Sequence, residues 1–72
     1  MYANVDFPQL INNLRSNKWS YGMIGREIGK ERDYVRNIGV GRVKSVRYDV
    51  GVKLIQLHER SNPNARVPQE QH

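Results

Sequence analysis

Two glycines four residues apart, Gly25 and Gly29, are followed closely by two apolar residues three apart, Val35 and Ile38. This spacing constrains the chain more than any other feature. Ile24 and Ile28 lie one helical turn apart on a common face, Val35 and Ile38 share another, and Gly29 stands between the pairs as a left-handed stop. Two short helices joined by a turn of about three or four residues are therefore expected. A side chain at position 25 would push the two helices apart, and a β-carbon at position 29 would strain the turn.

The flanks read as helices too. Asp6 followed by Gln9, with Pro8 in the first turn, resembles a capping box, and Phe7, Leu10, Ile11 and Leu14 recur on one face of a helix expected to run to about Asn17. Asn12, Asn13 and Arg15 stay wet. Ser20 is suited to cap the second helix, with Met23 beside its buried pair, and the third is expected from about Glu31 to Ile38. Gly39 or Gly41 ends the third helix, and a basic loop leads to Arg47. From Tyr48 the pattern is helical again, with Asp49 in the first turn, Val50, Leu54 and Leu57 on one face, Arg60 near the end, and Pro63 beyond it. The fold class expected is all-α, four short helices in one domain over residues 1–60. Its core is Leu10, Ile11, Leu14, Trp19, Ile24, Ile28, Val35, Ile38, Leu54 and Leu57. Residues 61–72 hold two prolines, two asparagines and two glutamines but only Ala65 and Val67 as apolar side chains, so a disordered tail is expected there.

A chain of 72 residues buries only about 60% of the surface its unfolded form exposes. With no cysteine and two histidines, His58 and His72, neither disulfides nor a zinc cage can compensate. No metal or cofactor is expected, and a dimer interface is left as the support. No apolar run approaches the roughly 18 residues of a membrane span, and nothing at the amino terminus resembles an export signal, so a cytoplasmic location is expected. The net charge is +5, of which Lys30, Arg32, Arg36, Arg42, Lys44 and Arg47 against Glu31 and Asp33 supply +4 within one segment. That concentration suggests a polyanionic partner.

The stretch Trp19-Ser20-Tyr21-Gly22-Met23-Ile24-Gly25-Arg26-Glu27-Ile28-Gly29, continued through Val35-Arg36-Asn37-Ile38 to Gly41-Arg42, resembles the phage Cro and repressor family of helix-turn-helix proteins. The resemblance covers about residues 6 to 60. It implies a lambda-repressor-like domain in which the third helix reads bases in the major groove and the start of the second touches phosphate. Dimers would grip a palindromic operator. Carried over by position, Arg32, Asp33, Arg36 and Asn37 face the groove, with Glu31 and Tyr34 beside them. Chemistry agrees: Arg pairs bidentately with guanine, Asn with adenine, and Asp accepts from cytosine. Asp33 can equally orient Arg32 or Arg36. Tyr34 can touch a phosphate or a thymine methyl. The phosphate contacts expected are Ser20, Tyr21 and Lys30, with Arg42, Lys44, Ser45 and Arg47 in the loop. Four positions depart from the family, three of them where Tyr21 replaces a usual glutamine, Lys30 an apolar residue, and Gly39 a larger hydrophobe. Glu31 stands where serine or threonine is usual and would approach DNA phosphate unfavourably.

The resemblance thus implies a transcriptional regulator of phage or prophage type, acting as a homodimer on a double-stranded DNA operator without a small-molecule ligand. The competing expectation is a protein-interaction module or antitoxin built on the same fold, which accommodates Glu31 more easily. No catalytic arrangement is legible. His58 has no nucleophile or carboxylate partner at a useful spacing and reads as a surface histidine, while Trp19 at a helix junction reads as core. Val52 and Ile55 are the candidate dimer contacts on the last helix.

Overall fold

A computed structural model describes residues 5–43, 45–61 and Pro68. Its regular structure is helical throughout the described residues: α1 (Phe7–Ser16), α2 (Tyr21–Ile28), α3 (Arg32–Gly39) and α4 (Tyr48–Ser61). No helix is long and apolar enough to cross a membrane among those residues.

The helix ends follow from local chemistry. At α1 the Asp6 carboxylate accepts the Gln9 N–H at 3.0 Å, with Pro8 in the first turn. The reciprocal half of a capping box is absent: Gln9 Nε2 donates to Asn13 Oδ1 at 2.9 Å. The Asp6 N–H instead donates to the Pro68 carbonyl at 2.9 Å, so the chain beyond α4 returns to the start of α1. The other tail residues, 62–67 and 69–72, lie outside the described residues. α1 stops at Ser16, and Lys18 takes a left-handed φ of 72° while the Trp19 N–H donates to the Leu14 carbonyl at 3.1 Å. Ser20 Oγ accepts the Met23 N–H at 3.1 Å and starts α2.

Gly29 ends α2 at φ 74°, and the Lys30 N–H closes the turn on the Gly25 carbonyl at 2.8 Å. A β-carbon on Gly25 would lie 2.5 Å from that same turn's Lys30 carbonyl oxygen. The steric demand at position 25 thus comes from the turn backbone rather than from helix against helix. Only a bare Cα lets the turn backbone pass so close to α2.

Each helix turns one stripe inward. Leu10, Ile11 and Leu14 of α1, Ile24 and Ile28 of α2, Val35 and Ile38 of α3, and Val50, Leu54 and Leu57 of α4 are buried, joined by Val5, Phe7 and Ile55. α2 packs on α3, α1 on α3, and α4 across α1 and α2. Arg60 of α4 donates to Glu27 of α2 at 2.9 Å on the surface. Trp19 is half-buried against this core rather than inside it.

Two expectations for α4 are overturned. Ile55 is buried and cannot serve as an exposed dimer contact; Val52 is half-buried. His58 is not a surface residue but fully buried, one turn after Leu54 on the same face. The physical reason is periodicity: α4 keeps its inward stripe through position 58, and an imidazole has the bulk to fill it. Neither ring nitrogen has a hydrogen-bond partner among the described residues. Loss of hydration holds the His58 pKa below its ordinary value, against a smaller opposing pull from the Glu59 carboxylate.

Candidate nucleic-acid interface

α3 packs through Val35 and Ile38, and successive residues rotate by about 100° around the helix. Asp33, Arg36 and Asn37 therefore stand on the side away from the core, with Arg32 at its shoulder. Arg32, Asp33 and Arg36 are exposed and Asn37 half-buried. Asp33 Oδ1 approaches Arg32 Nε at 3.9 Å, the neighbour-orienting geometry, and its carboxylate lies in the first turn of α3. Tyr34 turns sideways: half-buried, it packs against the core, and Lys30 Nζ lies 5.6 Å above its ring centre.

Glu31 occupies the N-cap of α3 with extended backbone, but its carboxylate accepts no capping hydrogen bond. It remains an exposed negative charge at the leading end of the helix.

The basic loop is tied to the last turn of α3 by backbone hydrogen bonds. The Asn37 carbonyl accepts the Arg42 N–H at 2.9 Å and the Val43 N–H at 3.3 Å, which holds Arg42 beside the last turn. Val43 and Val46 pack on the core and pin the loop from below. Arg42 and Ser45 are exposed. Arg47 is exposed as well, sits just before α4, accepts the Gly51 N–H at its carbonyl and approaches Asp49 at 3.7 Å. Lys44 lies outside the described residues.

At the other edge Ser20 is exposed but commits its hydroxyl oxygen to capping α2. Tyr21 is half-buried, and its ring edge lies 3.4 Å from where a β-carbon on Gly39 would stand. The Gly39 position would also meet Ile11 at 3.0 Å, so the missing side chain lets the last turn of α3 settle onto α1 and Tyr21 together. Over the same ring lies the Arg15 guanidinium, 4.3 Å from its centre. This brings an α1 cation to the start of α2.

Two residues here escaped the sequence reading. Arg15 was legible only as a wet position, because the stacking that places it joins elements with no spacing signal between them. Val40 follows α3, yet its N–H donates to the Arg36 carbonyl at 2.9 Å and the residue is 52% exposed. Its helical phase relative to Arg36 was the available signal.

The arrangement thus gathers Arg32, Asp33, Arg36 and Asn37 on one outward face, with Arg42 at one end and Lys30 at the other. Arg15, Ser20 and Tyr21 form a neighbouring edge. Such a surface can present hydrogen-bond donors to base edges and cations to phosphates. No group of three potential metal ligands occurs among the described residues. Comparison with protein-family models, curated proteins and solved structures finds no significant match for this chain.

Proposed function

We propose that this chain is a lambda-repressor-like helix-turn-helix regulator that binds a double-stranded DNA operator as a homodimer, with α3 in the major groove. The observation that carries the reading is the α2–turn–α3 unit. Gly25 lies against the Lys30 carbonyl, Gly29 is left-handed, and Arg32, Asp33 and Arg36 project from the side of α3 that the core does not use. In this role Arg32, Arg36 and Asn37 read bases, Asp33 orients Arg32, and Arg42, Lys44, Ser45 and Arg47 grip phosphate with Lys30, Ser20 and Tyr21. The role calls for no catalytic chemistry.

Selection of bound duplexes from a random library, followed by gel shifts across salt, tests the proposal. Affinity is expected to fall by orders of magnitude as salt rises. Arg36→Ala is expected to cost about 1–3 kcal/mol in binding and to relax preference at one base position, without lowering the melting temperature. Sedimentation with operator DNA should show two protomers per full site, with half-sites about 34 Å apart. No binding at low salt would refute the reading. The Glu31 carboxylate, which makes no capping hydrogen bond, would then favour a protein-interaction module on the same fold.

A further inference from the structure

We propose that Val40 recognises the C5-methyl group of a pyrimidine in the major groove, an inference that rests on the DNA-reading role of α3. The regular span of α3 ends at Gly39, but the hydrogen bond from the Val40 N–H to the Arg36 carbonyl continues the α-helical pattern by one residue. Val40 therefore lies one turn beyond Arg36 and three residues beyond Asn37, on the outward face rather than against the core. The residue is about half exposed. Among the outward residues Arg32, Asp33, Arg36, Asn37 and Val40, it alone can neither donate nor accept a hydrogen bond.

The floor of the major groove matches this pattern. Its base edges offer donors and acceptors with one apolar exception, the C5-methyl of thymine, which 5-methylcytosine also carries. A β-branched side chain with a fixed rotamer presents a compact apolar surface to such a group without losing much freedom. Tyr34 is poorly placed for the task, since it packs against the core beneath Lys30. Burying one methyl group between partners corresponds to about a fourfold change in affinity.

The test uses the full chain and duplexes selected from a random library. Each thymine is replaced in turn by deoxyuridine, each cytosine by 5-methylcytosine, and binding is measured for the wild type and for Val40→Ala. In the wild type, one thymine-to-deoxyuridine change is expected to weaken binding about fourfold, or one cytosine methylation to strengthen it by a similar factor. The two arms identify which pyrimidine supplies the methyl. In Val40→Ala the same change is expected to have little effect, so the two perturbations couple. Melting of Val40→Ala close to the wild type, expected for a residue outside the core, shows that the folded protein is being compared. Tight binding with no methyl-sensitive position, or undiminished methyl sensitivity in Val40→Ala, overturns this inference and leaves the DNA-reading role standing. Failure to bind any duplex at low salt overturns both.

Discussion

Gly25→Ala is expected to destabilise the fold although alanine is the better helix former. In a helix interior the change from glycine to alanine contributes about 1 kcal/mol of stability. Here the new β-carbon would stand 2.5 Å from the Lys30 carbonyl oxygen and 3.3 Å from the Glu31 carbonyl carbon, both backbone atoms that cannot rotate away. Restoring ordinary contact requires the turn to move by roughly 0.9 Å, at a cost of about 1–3 kcal/mol for overpacking. That movement also loosens the bond from the Lys30 N–H to the Gly25 carbonyl, a further loss of about 1 kcal/mol. The net effect is about 2 kcal/mol of destabilisation, or a fall of about 8–16 °C in Tm for a chain of this size. Circular dichroism melts read this directly. Gly22→Ala on the same helix is the control, because its β-carbon would meet nothing closer than Ser20 Oγ at 3.9 Å. That substitution is expected to be neutral or stabilising. Gly25→Ala melting at or above the wild type would refute the steric argument.

The remaining predictions concern positions with a different physical demand. Because burial holds the folded-state pKa of His58 below its ordinary value of 6.5, its stabilising contribution is complete above about pH 6.5 and is lost as pH falls toward the folded value. Urea melts of the wild type should therefore weaken below pH 6.5 more than those of His58→Leu, and equal acid sensitivity would contradict the burial of this ring. Glu31→Ser supplies a capping oxygen where the glutamate supplies none, so a gain of about 0.5–1 kcal/mol in stability is expected by thermal melting, together with tighter DNA binding at low salt. Lys18→Gly relieves a left-handed backbone at φ 72° and should add about 0.5–1 kcal/mol by the same assay.

Where one residue type served a local purpose, the sequence could be read. Asp6 and Ser20 accept the backbone donors that their positions imply, Gly29 is left-handed, and the apolar stripes of α1, α2 and α3 face inward. What escaped depended on partners distant in sequence or on residue types that serve two purposes. The Asp6 N–H is satisfied by Pro68, which no local pattern announces. His58 lies on the stripe of Leu54, but histidine sits as readily on a surface as in a core, and Ile55 widens that stripe beyond the three residues read from it. Gly39 ends α3 as its residue type implies, but the close approach of Ile11 and Tyr21 that also requires a glycine there carries no local signal. At the candidate interface, the outward set of α3 follows from its periodicity. Its extension to Val40 depends on one more helical hydrogen bond after the glycine, which composition alone cannot reveal.

Arg32, Asp33, Arg36 and Val40 are all exposed, and the core holds α3 through Val35 and Ile38, with Tyr34 and Gly39 packed alongside. Substitutions at those four positions therefore carry little energetic linkage to the core, and their coupling in folding is confined to near neighbours such as the Arg32–Asp33 pair. A lineage can rewrite this face many times over without approaching its threshold of stability, which makes α3 a surface open to rapid divergence on a scaffold that stays constant.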